Sequence, residues 1–151
     1  MVLEHAICHE AGHAIVAMNF GLSVQEIQLK QSIPIACIDV AGATVRQACT
    51  VYAGGAAAEK LAFGSFDKAS DRDRLMILEI GGGKLEDHLD YATEILTANA
   101  GCHREIWKEI SMNWLAEESA SIWSGSNFDK LNFELMTGKR IKEIWQRYHP
   151  E

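Results

Sequence analysis

The chain has 151 residues, enough for one domain spanning residues 1–151 with a buried core, and too few for several. Hydrophobic residues at 48% and charged residues at 23% exclude a disordered protein, and a formal net charge of -7 without a basic stripe argues against nucleic acid as the partner. No apolar run approaches the ~20 residues that span a bilayer and no leader-like segment precedes the first helix, so a cytoplasmic protein without a membrane segment is expected.

From Leu3 to Phe20, Leu3, Ala6, Ile7, Ala14, Ile15 and Met18 recur at three- and four-residue steps, which predicts one helix with Gly21 placed to end it. This helix carries His9-Glu10-Ala11-Gly12-His13, an H-E-x-x-H pattern. Residues four apart share a helix face and lie ~6 Å apart along the axis, so the imidazoles of His9 and His13 can converge on one metal ion. Glu10 projects beside them, where its carboxylate can take a proton from an attacking water. That is the geometry of a zinc metallopeptidase. Two surface histidines can share this spacing by chance, but the small apolar flanks (Ala11, Gly12, Ala14) fit a buried helix. Unpartnered imidazoles would be costly there. His5 repeats the spacing one turn earlier, yet it stands about 12 Å from His13 along the axis, too far for one ion bound at ~2.0–2.1 Å, and is expected at the rim.

Val24, Ile27 and Leu29, then Ile35 to Val40 after a Gln31-Ser32 break and Pro34, predict two short strands in a hairpin against the first helix. An edge strand near a metal can hold an extended peptide by main-chain hydrogen bonds. Val45 to Phe63 returns to a helical pattern, closed by Gly64. Gly54 and Gly55 each cost a helix roughly 1 kcal/mol relative to alanine, which is tolerable where another helix must lie close. Ser65 to Arg74 is an acidic turn leading into a helix of Leu75, Met76, Ile77, Leu78 and Ile80, with Ser70 and Asp73 spaced as a capping pair. Gly81-Gly82-Gly83-Lys84 lacks the spacing of a phosphate loop and is a linker. Two longer helices follow, Leu85 to Ala100 and His103 to Trp123, the second with Trp107 and Trp114 as a core stripe. His88 and His103 fall on polar faces. Short helices near Phe128 to Met136 and Lys139 to Arg147 close the chain. Cys8, Cys37, Cys49 and Cys102 form no C-x-x-C pair and are expected as buried free thiols.

The segments HEAGHAIVA, GAAAEKLAFG (Gly55 to Gly64) and the Ala-Ser-acidic cluster from Ala69 to Asp73 together resemble the peptidase domain of the FtsH family. These are membrane-anchored, ATP-dependent zinc metallopeptidases. Weaker echoes in Tyr91 to Asn99 and Glu134 to Gly138 extend the likeness, in the same order, over nearly the whole chain. The resemblance implies a mainly α, zincin-type fold with a small β-hairpin and a helical C-terminal bundle. It also implies a third zinc ligand from an aspartate at the start of the helix after the acidic cluster. The chain has no Walker A loop, ATPase module or membrane segment, so energy-driven unfolding of substrates does not carry over.

Two aspartates fit the third position. Asp71 has Leu75 and Leu78 following on its inward face; Asp73 has Met76, Ile77 and Ile80. If Asp73 is engaged in the capping pair, Asp71 is left to bind metal, and Asp71 is preferred. Glu59 is a third candidate, because many H-E-x-x-H enzymes take a glutamate from a later helix. The resemblance implies instead that Glu59 orients a ligand histidine through its other ring nitrogen. The expectation is Zn²⁺ held by His9, His13 and Asp71, with Glu10 as general base acting on peptides or unfolded protein without ATP. The competing class is a non-catalytic interaction module that keeps a structural metal site. Glu10 favours the enzyme, since a structural zinc has no use for a carboxylate that is not a ligand; the missing motor favours the module. Self-association into a homo-oligomer is left open.

Overall fold

The helix bearing H-E-x-x-H lies at the centre of the molecule. In the computed structural model, which describes residues 3–66, 70–128 and 132–150, it is α1 (Leu3–Asn19), buried from Ala6 to Ala17 except at Glu10. A helix apolar on nearly all sides belongs inside a protein, with other elements packed around it. The described residues form a mainly helical domain with a small three-stranded antiparallel sheet.

After Gly21, whose φ of 71° ends α1, the chain turns into β1 (Ser23–Lys30) and β2 (Ile33–Asp39). Gln31 and Ser32 form the hairpin turn, both at positive φ (51° and 67°), matching the twist a two-residue connection needs. Along β1, Val24, Ile27 and Leu29 are buried against the core, while β2 lies at one edge of the sheet.

The other edge of β1 is covered by β3 (Asn132–Thr137), aligning Ile27 with Met136 and Leu29 with Phe133. The sequence predicts a helix at Phe128 to Met136 here, and the structure corrects it for the described part; residues 129–131 lie outside the described ones. Phe, Glu, Leu and Met suit a short helix locally, but β1 offers an open row of backbone donors and acceptors that only a strand can satisfy. Tertiary pairing therefore overrides local preference. The C-terminal region is correspondingly not purely helical.

Helix α2 (Val45–Phe63) keeps its predicted bounds because both ends are written locally. Thr44 accepts from the Gln47 N–H at 3.1 Å and the Gln47 side chain accepts from the Thr44 N–H at 3.0 Å; Gly64 closes the helix at φ 85°. Helix α2 lies directly along α1. A Cβ on Gly12 would stand 2.5 Å from the Gly54 carbonyl oxygen, and one on Gly55 would overlap the His9 ring. The two helices meet backbone to backbone at these glycines.

Three further helices, α3 (Asp71–Glu79), α4 (Glu86–Ala98) and α5 (Ala100–Ser124), cover this pair, and α6 (Gly138–Tyr148) follows β3. In α3 the inward residues are Asp73 and Ile77; Leu75 and Leu78, expected inward, are 59% and 66% exposed. His103, expected on a polar face, is buried against α1 with its ring beside the Cys8 carbonyl (Nε2 to O 3.2 Å). It shares the inward face of α5 with Ile106 and Ile110, a stripe that starts one turn earlier than the sequence suggested. Trp107 and Trp114 are half-buried, Trp107 against Phe63 and Trp114 against Phe128. Cys8, Cys49 and Cys102 are buried and Cys37 is half-buried; all four are free thiols. Among the described residues no helix is long and apolar enough to cross a membrane.

The α1–α2 contact gives the first prediction. Gly12→Ala gains about 1 kcal/mol of helix propensity but forces a methyl into the Gly54 backbone. A net loss of about 1–3 kcal/mol is expected in denaturant unfolding. A variant as stable as the parent would show that the helices have room to spare.

Candidate metal centre

The α1–α2 contact fixes both imidazoles of the motif. His9 Nδ1 donates to Glu59 Oε1 on α2 at 2.8 Å, and His13 Nδ1 donates to the Val51 carbonyl, also on α2, at 2.7 Å. Each ring is thereby held in one orientation by its Nδ1, and Nε2 is left for another partner. This is how ligand histidines are positioned: one nitrogen tied to a carboxylate or carbonyl, the other left for a cation.

Both Nε2 atoms meet the same carboxylate. Asp73 Oδ2 lies 2.9 Å from His9 Nε2 and 3.3 Å from His13 Nε2. One donor atom from each of His9, His13 and Asp73 lies within 4.8 Å of the other two, and these three residues could hold a metal ion. Two atoms bound ~2.0–2.1 Å from a tetrahedral ion are themselves about 3.3–3.4 Å apart. The observed separations are close to that value, so the residues fit the group.

Of the three candidates for the third position, the structure brings Asp73 to the histidines and leaves Asp71 exposed. The reason lies in α3: residues two apart on a helix point roughly 200° apart, and Asp73 shares the buried face with Ile77. The premise that favoured Asp71 is also absent, because Ser70 makes no capping bond and Asp73 is free of it. Glu59, fully buried, sits behind His9 and not on the Nε2 side. Its other oxygen lies 3.8 Å from His5 Nδ1; His5 is half-buried and stacks on Phe63 at 3.8 Å, away from the cluster.

Glu10 stands to one side. Its Oε2 accepts from the Ala36 N–H of β2 at 3.2 Å and lies 4.0 Å from His13 Nε2, so it borders the cluster without belonging to it. The space in front is a cleft of about 630 Å³ whose walls include His9, Glu10, His13, Asp73, Tyr52 and the β2 residues from Ile33 to Ile38. The Val51 carbonyl and the Ala36 N–H are backbone groups with no sequence signature. Tyr52 and Met76 reach the cleft because α2 and α3 flank it, which only the fold reveals.

The electrostatics follow from this crowding. Burial disfavours a charged His9, but hydrogen bonds to Asp73 and Glu59 outweigh it and raise the imidazole to about 10. Burial likewise opposes charge on His13, and Asp73 overcomes it, raising that ring as well. Burial works against the Asp73 carboxylate, yet His13 and His9 hold it well below the usual range. Burial pushes the Glu10 carboxyl up, more than the two histidines and the Ala36 N–H pull it down. The site thus demands positive charge between the two Nε2 atoms and Oδ2, and without a metal it takes protons. No family model matches this chain, and no curated protein matches it.

A pH dependence follows for the metal-free protein. His9 is raised from 6.5 to about 10, so its contribution to stability is complete below about pH 6.5 and is lost as the pH rises through about 10. Metal-free protein should therefore melt at progressively lower temperature from pH 7 to pH 9, and His9→Gln should reduce that slope, the remainder coming from His13, which is raised as well. Equal slopes in the two proteins would show that His9 is not the group holding the proton.

Proposed function

We propose that this domain is a zinc-dependent metallopeptidase of the FtsH peptidase type, with His9, His13 and Asp73 as metal ligands and Glu10 as general base. The observation that carries it is the tethering of both Nδ1 atoms to α2, which turns both Nε2 atoms onto one buried carboxylate. The order of motifs supports the same family, as does Glu59 in the place of the carboxylate that orients a ligand histidine. A nitrogen and carboxylate set with Glu next to the first histidine suits Zn²⁺ with one position left for water or substrate.

Zinc, when bound, supplies a Lewis acid that makes water nucleophilic near neutral pH and polarises the scissile carbonyl. The chain's own residues do the rest. Glu10 Oε2 takes the proton of the attacking water, and its raised affinity for protons suits a base that must hold one and then release it to the leaving amine. The Ala36 N–H keeps the carboxylate pointed into the cleft. Strand β2 borders that cleft along the sheet's open edge, where the main chain of an extended peptide can pair. Peptides and unfolded protein are the substrates this geometry admits.

Two measurements test the assignment. Asp73→Ala should lose zinc from the purified protein while Asp71→Ala retains it; the opposite result would move the ligand to Asp71. Glu10→Gln keeps the size of the side chain but cannot accept a proton, so zinc should remain while casein hydrolysis falls by roughly 10²–10⁴-fold. Equal rates for parent and Glu10→Gln would rule Glu10 out as the base. A zinc-loaded parent that cleaves nothing across a broad peptide library would favour a binding module.

A further inference from the structure

A second cleft, of about 1060 Å³, lies between α6, the start of β1 and the end of α1, and shares no wall residue with the cleft at the metal centre. In a chain of net charge -7, the described residues of its walls include no aspartate or glutamate. Its charged wall residues are Lys139 and Lys142.

Helix α6 sorts its positive charges by face. Arg140 pairs with Glu109 at 2.8 Å and Arg147 with Glu105 at 2.6 Å, both glutamates on α5. Lys139 and Lys142 instead border the cleft, with Gln146 and His149, at steps of three and four residues that share one helix face. Neither lysine meets an acidic partner among the described residues.

His149 adds to the same side. Asn99 Nδ2 donates to the Ile95 carbonyl at 2.8 Å, which leaves Asn99 Oδ1 as the atom facing His149 Nε2, at 2.7 Å. His149 Nδ1 lies 2.9 Å from the Trp145 carbonyl. Both ring nitrogens therefore face acceptors, a pairing that the doubly protonated imidazole satisfies in full. The ring stacks on the Trp145 indole with centroids 3.8 Å apart, a surface that accommodates a positive ring. Cations around a concavity without counter-charges concentrate anions there.

We propose that this cleft binds a small organic phosphate, with Lys139 and Lys142 holding the phosphate group. Ammonium groups one helical turn apart can reach one tetrahedral anion together, and a compact lysine charge suits phosphate. The volume is at the upper end of the roughly 300–1,000 Å³ typical of small-molecule sites, more than a bare ion fills. Met18, Leu22 and the Trp145 ring give the ligand's organic body an apolar wall. This site goes beyond the proposed peptidase reading and does not depend on it.

Calorimetric titration of the full chain with phenyl phosphate tests the site, with inorganic phosphate and acetate alongside. Phenyl phosphate should bind saturably at about one site per chain, more tightly than inorganic phosphate, and acetate should not compete. Lys139→Gln and Lys142→Gln should each weaken it about tenfold, as expected for the loss of one charged hydrogen bond. Both lysines are exposed, so the variants should melt as the parent does. Lys108→Gln, an exposed lysine on α5 outside the cleft, should leave affinity unchanged. Binding that survives in the double lysine variant would belong to the metal or another surface and would overturn the proposal. So would an equal loss in Lys108→Gln, or no saturable binding. Inorganic phosphate bound as tightly as phenyl phosphate would show an adventitious ion only, and tighter binding of an acidic peptide would show a protein-docking cleft; either result overturns it.

Discussion

The close contact between α1 and α2 is the constraint on which the site depends. Gly12 and Gly54 let the two backbones touch, and Gly55 leaves room for the His9 ring. Only at that distance can α2 present Glu59 to one imidazole and the Val51 carbonyl to the other. Glycine in a helix costs roughly 1 kcal/mol each relative to alanine, so three in two helices are a conformational expense that this approach explains. The same contact buries the histidines, and burial makes their electrostatic environment consequential.

That environment is acidic on three sides. Glu59 lies behind His9, Asp73 in front of both rings, and Glu10 beside His13. Two ring nitrogens cannot both face one carboxylate oxygen, at 2.9 and 3.3 Å, as bare acceptors. Something positive has to share the space. In the metal-free protein this is a proton, and His9, whose imidazole is raised, bridges two carboxylates through its two nitrogens. A divalent cation satisfies the same three atoms at once, and on the proposed reading it takes the proton's place while Glu10 stays outside the ligand set.

Much of this was legible in the sequence, for reasons that differ between elements. The pairing of His9 with His13 follows from helix periodicity alone, and the end of α2 could be placed because Gly64 closes it locally; the Thr44–Gln47 capping box at its start was not read from the sequence. Glu59 could be placed behind a histidine only through the FtsH resemblance, and the structure does put it on His9 Nδ1. The choice between Asp71 and Asp73 was not legible. Both give a plausible apolar pattern, and the decision turned on which face of α3 meets the core. Leu75 and Leu78 pointed to the wrong face because large apolar side chains are not always buried. Strand β3 was missed for a related reason: its partner β1 lies near the other end of the chain, and no local signal in Asn132 to Thr137 announces that pairing. The backbone groups of Val51 and Ala36 that steer His13 and Glu10 could not have been found from side-chain identities at all.

X-ray absorption at the zinc edge of the purified, zinc-loaded protein tests the central claim most directly, since it reads the ligand atoms themselves. The account predicts a first shell of nitrogen and oxygen only, at ~2.0–2.1 Å, with the multiple-scattering signature of two imidazoles and no sulfur. A sulfur shell at ~2.3 Å, or a signal with fewer than two imidazoles, would contradict a centre built from His9, His13 and Asp73.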